Sequence, residues 1–165
     1  MMVIRTSARL LLAALLLIAA LPAQSSTPPG ESLVWTGKAS GGHVALTYGP
    51  LDPAKQPVFL LSCFNGMDVA VLEVFGAIEG KRPGQQLTIE LSAGGAQSPL
   101  DGEASIDEKT GSMFAEASDI VLAPVLDVLR SPGPLTIKTG FTTRTLSDAG
   151  RAEVVAQFSK DCEMD

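Results

Sequence analysis

The residues of this sequence that could perform chemistry begin with a single histidine, His43. A Ser-His-Asp triad could be built only on His43, and the sequence lacks the Gly-x-Ser-x-Gly turn that carries the nucleophile in many hydrolases. No lysine follows a serine by three positions, so a Ser-x-x-Lys dyad is excluded as well. His43 follows two glycines and starts a predicted strand. This position favours an exposed strand-end residue over a catalytic base.

One histidine and two distant cysteines, Cys63 and Cys162, cannot form a zinc site, which needs three or four Cys or His ligands with at least one close pair. No Cys-x-x-Cys motif and no nucleotide-binding glycine pattern occurs, so we expect no cofactor and no metal. In an oxidising compartment such a lone pair favours a disulfide, and two unpaired thiols are the alternative. Cys63 shares a strand face with Leu61, and Cys162 continues the helical stripe of Phe158, so both sulfurs are predicted to point inward. The Cα atoms should then lie about 4.4 to 6.8 Å apart.

Carboxylates are the remaining candidates, and they are densest between residues 101 and 119. Two predicted strands, Leu100–Ile106 and Ser112–Ala117, flank the turn Asp107–Gly111. Their pairing would bring Glu103 and Glu116 close together. Such a pair could serve a glycosidase or bind calcium, but the spaced ligands of a calcium loop are missing, and a solvated face is the expectation. The acidic residues of this segment are Asp101, Glu103, Asp107, Glu108, Glu116 and Asp119.

The elements that must position these residues are mostly short strands, recognised by alternating or continuous apolar residues between turn signals. The fold class is therefore mainly β, a β-rich α+β protein. We predict an antiparallel β-sandwich or partly open barrel of about eight strands, with two short helices near the C-terminus. The predicted strands are Leu33–Thr36, His43–Tyr48, Val58–Phe64, Met67–Phe75, Leu87–Leu91, Leu100–Ile106, Ser112–Ala117 and, as one strand or a pair, Leu135–Thr139 with Phe141–Arg144.

The clearest local signal is the Asn65-Gly66 pair, which favours a two-residue type I′ turn. Such a turn would place Phe64 opposite Met67, Ser62 opposite Val69 and Leu60 opposite Val71. Both faces of this hairpin are apolar, so we expect it to form the buried centre of the sheet. The segment Gly37–Gly42 is predicted to be a loop.

Two helices are predicted near the C-terminus. Pro124 should open a short helix that ends at Arg130, because proline is tolerated in the first turn. Ser147 should cap a second helix that ends at about Asp161. The apolar run Ile120–Leu129 could bind a partner, but a short helix must bury one face to form, so a core role is expected.

The first residues have the pattern of an export signal. Met1–Arg9 carries two arginines and no acidic residue, and twelve consecutive apolar residues follow. We predict a signal peptide over Met1–Ala23, with cleavage after Ala23 or Ser25. Twelve helical residues span about 18 Å, too little for a transmembrane helix, so no membrane anchor is expected after cleavage.

The predicted mature chain comprises a disordered lead-in over residues 24–30 and a single β-rich domain over residues 31–165. It has ten basic and eighteen acidic residues, a net charge of −8. Phosphate binding needs clustered Lys and Arg, whereas the basic residues here are scattered, so nucleic acid is not an expected partner.

The C-terminal half resembles exported proteobacterial proteins of the invasion-associated locus B type. The residues that carry the resemblance are Pro124–Leu129, Gly133–Gly140 and the stretch from Leu146 through Phe158 to Cys162, about 40 residues of small and aliphatic types. The resemblance implies a periplasmic or surface β-sandwich without known catalytic residues. No functional residue can be carried over from it.

These observations favour an exported, non-enzymatic module that is structural or binds a ligand or another exported protein. Its expected location is the periplasm or the surface of a Gram-negative bacterium. One alternative is a small inhibitor of a secreted hydrolase, such as lysozyme or a protease, whose basic cleft would receive the acidic turn Asp107–Gly111. A second alternative is a carboxylate-dependent hydrolase that uses Glu103 and Glu116.

Overall fold

Nine strands pair side by side in one antiparallel sheet, and the sheet is curled into a half-barrel. The computed structural model describes residues 32–163. The predicted signal peptide, Met1–Ala23, and the lead-in over residues 24–30 lie outside the described residues. Within residues 32–163, no helix is long and apolar enough to cross a membrane. The strands are β1 (Leu33–Ser40), β2 (His43–Pro50), β3 (Phe59–Phe64), β4 (Val69–Phe75), β5 (Gln86–Ala93), β6 (Ala96–Ile106), β7 (Met113–Ala117), β8 (Leu135–Thr139) and β9 (Thr142–Leu146).

The strand order across the sheet is β1-β2-β3-β4-β7-β6-β5-β8-β9. The prediction of a mainly β fold with a partly open barrel is therefore confirmed. The curl brings the last strand back toward β4. Arg144 of β9 donates hydrogen bonds to the carbonyl groups of Phe75, the last residue of β4, and of Ala77. Gly76 lies between them with a φ of +114°, and a Cβ there would collide with the Arg144 guanidinium.

One face of the sheet, here called the inner face, carries the hydrophobic core. It includes Leu46, Leu61, Leu72, Ile89 and Ile137, all at most 1% exposed. These side chains form one cluster with buried residues of two helices, α1 (Leu122–Arg130) and α2 (Arg151–Asp161). The helices therefore cover the inner face, as the predicted core role of residues 120–129 requires.

The predicted ends of both helices are confirmed, and their starts differ. Helix α1 begins at Leu122, two residues before Pro124. The prediction that Ser147 caps α2 is wrong, because the helix begins at Arg151 after Gly150 in a left-handed conformation. Ser147 instead accepts a hydrogen bond from the Trp35 indole at its carbonyl, 2.6 Å away. Residues 149 and 150 form a turn before the helix starts, and the Arg151 amide donates a hydrogen bond to the Asp148 carbonyl.

The disulfide between Cys63 and Cys162 is confirmed. Its Cα atoms lie 5.9 Å apart, and both residues are buried. The bond joins the inner face of β3 to the end of α2. Asn65 strengthens the same junction, because its side-chain amide donates to the Asp161 carbonyl at 2.8 Å and its oxygen accepts from the Glu163 amide.

The predicted register of the β3–β4 hairpin is wrong by two residues. Phe64 pairs with Val69 rather than Met67, Ser62 with Val71, and Leu60 with Glu73. The turn has four residues, and Asp68 takes the left-handed conformation with a φ of +51°. Neither Asn65 nor Gly66 has the positive φ that a two-residue type I′ turn requires, and the Asn65 side chain binds the end of α2. A shift of two residues keeps each side chain on its predicted face.

The predicted loop Gly37–Gly42 is also wrong, because β1 continues to Ser40 and only Gly41 and Gly42 form the turn. Gly37 lies on the inner face, where a Cβ would stand 3.1 Å from a methyl group of Val154. The small residue that looked like a loop signal instead lets α2 approach the sheet closely.

Candidate functional site

The outer face of the central strands, opposite the helices, carries a second set of apolar side chains. Phe114 is only 9% exposed, yet it is not a member of the core cluster. Its ring packs on Phe75, with ring centroids 5.2 Å apart. The other members of this set are half-buried. We call the set the apolar stripe, and it consists of Leu60, Phe64, Val69, Val71, Phe75 and Phe114.

Three glutamates cross the apolar stripe on adjacent strands. Glu73 of β4 pairs with Glu116 of β7, and Glu116 pairs with Glu103 of β6. Side chains at directly paired positions point to the same side, with Cβ atoms about 4.5 to 5.5 Å apart. We call these three residues the acidic row. The predicted proximity of Glu103 and Glu116 is confirmed, and the structure adds Glu73, which the local hairpin pattern could not supply.

The environment of Glu73 differs from that of an ordinary surface carboxylate. It lies between Val71 and Phe75 along β4 and opposite Leu60 on β3. Desolvation by these neighbours, and then the negative charges of Glu116 and Asp107, raise the pKa of Glu73 above its ordinary value. Each of these factors disfavours the charged form of Glu73. Other carboxylates have cationic partners: Glu90 forms an ion pair with Lys138, and Asp127 with Arg130.

The predicted turn Asp107–Gly111 continues the negative charge of the acidic row. Gly111 ends this turn in the left-handed conformation, with a φ of +71°. Hydrogen bonds from the backbone amides of Lys109 and Thr110 to Asp107 lower the pKa of this carboxyl group. Asp107 therefore stays ionised where the turn meets the end of the sheet.

His43 occupies the predicted position at the exposed start of a strand, and its ring makes two contacts that the sequence analysis missed. The ring stacks on Phe64 at 4.8 Å between centroids, and Nε2 lies 3.2 Å from the Ser62 hydroxyl oxygen. Ser62 is 5% exposed and stands in the middle of β3. A buried strand serine leaves little room for a substrate to approach, so this pair resembles a structural contact more than a nucleophile with its base.

The remaining predicted carboxylates are dispersed. Asp101 is exposed on the outer face of β6, and Glu108 is exposed in the turn. Asp119 follows β7 and has a φ of +53°. It lines a cavity of about 390 Å³ with Asp101 and Ser118, and the Ser118 hydroxyl donates a hydrogen bond to Glu116 Oε1 at 3.0 Å. Among residues 32–163, no group of three or more His, Cys, Asp or Glu side chains could hold a metal ion.

The fold defines the class of this protein as a curled antiparallel sheet with two helices on its inner face. Comparisons with protein-family models, curated proteins and solved structures found no match to this chain. The chemistry of the outer face therefore carries the functional inference.

Proposed function

We propose that this protein is an exported, non-enzymatic module that binds another protein through the outer face of β3, β4 and β7. The observation that carries the proposal is the apolar stripe, which lies outside the core cluster that the helices complete. Contiguous apolar surface bordered by polar groups is typical of interaction sites. The alternating pattern of an ordinary solvent-facing strand would place polar residues at these positions.

Export is supported by the pattern of the first residues and by the disulfide, since disulfides persist mainly in oxidising compartments. The resemblance to the invasion-associated locus B type supports a periplasmic or surface location. Cell fractionation with N-terminal sequencing tests this part. We expect the extracytoplasmic fraction to contain a chain that begins after Ala23 or Ser25, and a cytosolic chain with Met1 intact would overturn it.

A photocrosslinking amino acid tests the binding surface in living cells. Placed at Val71, in the apolar stripe, it should form a specific adduct. Placed at Ala156, which is exposed on α2 and therefore lies on the opposite side of the sheet, it should form none. The partner identified by mass spectrometry should bind the purified protein, and Val71→Lys should weaken that binding at least about tenfold. Failure of purified components to associate, or equal binding by Val71→Lys, would contradict the proposal.

Inhibition of a secreted hydrolase is a second candidate function, favoured by one specific observation. Asp107 lies close enough to Glu73 to help raise the pKa of that carboxyl group, so the acidic turn adds negative charge beside the acidic row. Complementary charge would steer a basic enzyme cleft toward it. Inhibition assays with lysozyme and a serine protease at low salt test this candidate, and unchanged hydrolase rates would remove it.

The hydrolase that would use Glu103 and Glu116 is supported less well. Both side chains project from paired positions on the same outer face, and Glu103 is exposed. A glycosidase instead places two carboxyl groups on either side of a bound sugar. The open face therefore favours binding over carboxylate catalysis.

A further inference from the structure

The geometry of the outer face points to the chemistry of the partner. We propose that the apolar stripe and the acidic row together bind an arginine of a basic protein. The guanidinium would lie between Glu73 and Glu116, and the arginine stem would lie on Phe75 and Phe114. This inference rests on the proposed function and specifies the occupant of the same surface.

Four residues define the position of the arginine. Glu73 and Phe75 stand two residues apart on β4, and Glu116 and Phe114 stand two apart on β7. Glu73 is paired with Glu116 and Phe75 with Phe114. The four side chains therefore form a rectangle on the outer face, about 5 Å across the strands and about 7 Å along them. The short side formed by Glu73 and Glu116 is anionic, and the short side formed by Phe75 and Phe114 is aromatic.

A cation is the complementary ligand for the anionic side. Burial and like charge both disfavour ionisation of Glu73, so a cation that approached it would relieve an unfavourable interaction. A second copy of this chain would bring another acidic row to the surface, and like charges in contact oppose association. Nucleic acid and anionic lipid are disfavoured for the same reason.

Arginine fits this rectangle better than lysine does. Its planar guanidinium has five donors in a fixed geometry and can bridge two neighbouring carboxylates. It also stacks on aromatic rings, and the Phe75–Phe114 pair offers such rings next to the carboxylates. A lysine ammonium is a compact, strongly hydrated charge and would gain less from the aromatic side.

Labelled hexa-arginine and hexa-lysine peptides are the probes that test the inference on the full exported chain. We expect hexa-arginine to bind at least about fivefold more tightly than hexa-lysine at equal ionic strength. Amide chemical shifts should change in β4 and β7. The double variant Glu73→Gln/Glu116→Gln should weaken hexa-arginine binding about tenfold or more. Phe75→Leu/Phe114→Leu, which keeps the surface apolar, should remove most of the preference for arginine.

A charge-matched control separates this site from general attraction to an acidic protein. Asp127→Asn/Glu153→Gln changes the net charge by the same amount on α1 and α2, which cover the inner face. Its hexa-arginine affinity should stay within about twofold of the original, because distant surface charges are screened. Circular dichroism and thermal unfolding should show that each variant is folded. Equal affinity for both peptides, or an equal loss in the control, would overturn the inference.

The photocrosslinked partner distinguishes failure of this inference from failure of the proposed function. If Val71→Lys abolishes partner binding and Glu73→Gln/Glu116→Gln leaves it unchanged, the proposed binding surface is supported and the proposed arginine ligand is wrong. If neither change affects the complex, both proposals are wrong. If both changes weaken it and the charge-matched control does not, both are supported.

Discussion

The two faces of β3 and β4 are built from the same residue types, but their environments differ. On the inner face, Leu61 and Leu72 have no exposed surface and belong to one core with both helices. On the outer face, Leu60 and Val71 keep partial solvent contact and surround a carboxylate, Glu73. Apolar strands thus identify a central position in the sheet without showing whether a second layer covers both faces. The charge placed among them distinguishes this outer face from the core.

Removal of the disulfide should have the largest effect, because it weakens the attachment of a helix to the inner face. Replacement of both Cys63 and Cys162 by alanine should lower the free energy of unfolding by about 2 to 5 kcal/mol, since the bond closes a loop of about 100 residues. Denaturant unfolding of the oxidised protein and the variant measures this change. Hydrogen exchange should increase first in α2. Binding at the outer face should be unchanged under conditions in which the variant is folded, and a loss there would contradict the separation of the two faces.

Adjacent leucines of β3 provide the most direct test of the comparison. Leu61→Ala should cost about 2 to 5 kcal/mol, because it opens a cavity in a fully buried core. Leu60→Ala on the outer face should cost about 1 kcal/mol or less, because solvent fills the vacated space. Chemical denaturation of the two variants measures the contrast. Equal losses would mean that an additional layer buries the outer face as well.

Much of this arrangement could be predicted from the sequence, because many of its signals are local. Alternation placed Cys63 on the inward face of β3, and the helical spacing of Phe158 and Cys162 placed the second sulfur toward the sheet. The turn at Asp107–Gly111 set β6 against β7 and so brought Glu103 to Glu116. In each case, neighbours in sequence determine neighbours in space.

The missed features depend on pairing between distant segments. No local pattern states that β4 lies beside β7, so Glu73 could not be added to the predicted carboxylate pair. The predicted burial of both faces of the β3–β4 hairpin was wrong for the outer face. Apolar residues on both faces of a strand do not show whether a second layer packs on each face. The register error at Asn65 has a similar cause, since its side chain binds α2 about 100 residues away.

Arg151, the first residue of α2, is a charged side chain that is nevertheless buried. It is 2% exposed, donates hydrogen bonds from Nη2 to the carbonyl groups of Ser131 and Gly133, and lies 6.0 Å from the Trp35 ring centroid. Desolvation lowers its pKa, although the charge of Asp148 opposes that shift. Arg151→Ala should lower stability by about 2 to 4 kcal/mol, because it leaves two partly buried carbonyl groups without their donor.

Arg151→Lys provides the matched control, because it keeps the positive charge and loses the planar fork. Thermal unfolding of the two variants should rank alanine below lysine, and both below the original protein. If both variants are as stable as the original, the helix start does not depend on these carbonyl contacts.

The smallest expected effect is a gain in stability on the outer face. Glu73→Gln should raise the free energy of unfolding by up to about 1 kcal/mol at pH 7, because it removes a repulsive cross-strand pair. The raised pKa of Glu73 means that the folded state holds a proton more tightly than the unfolded chain does. Its contribution is therefore most favourable below the unfolded pKa and is lost as the pH rises through the folded pKa. The gain from Glu73→Gln should accordingly be present at pH 7 and diminish as the solution is acidified from the folded pKa to the unfolded pKa of Glu73.

Glu90→Gln is the control, because Glu90 pairs with Lys138 on the same outer face, and this variant should lose a little stability rather than gain it. A gain for Glu90→Gln equal to that for Glu73→Gln would assign the effect to net charge alone. A loss for Glu73→Gln would mean that this carboxylate already has a compensating cation, and the acidic row would then be a structural feature rather than a surface kept for a basic partner.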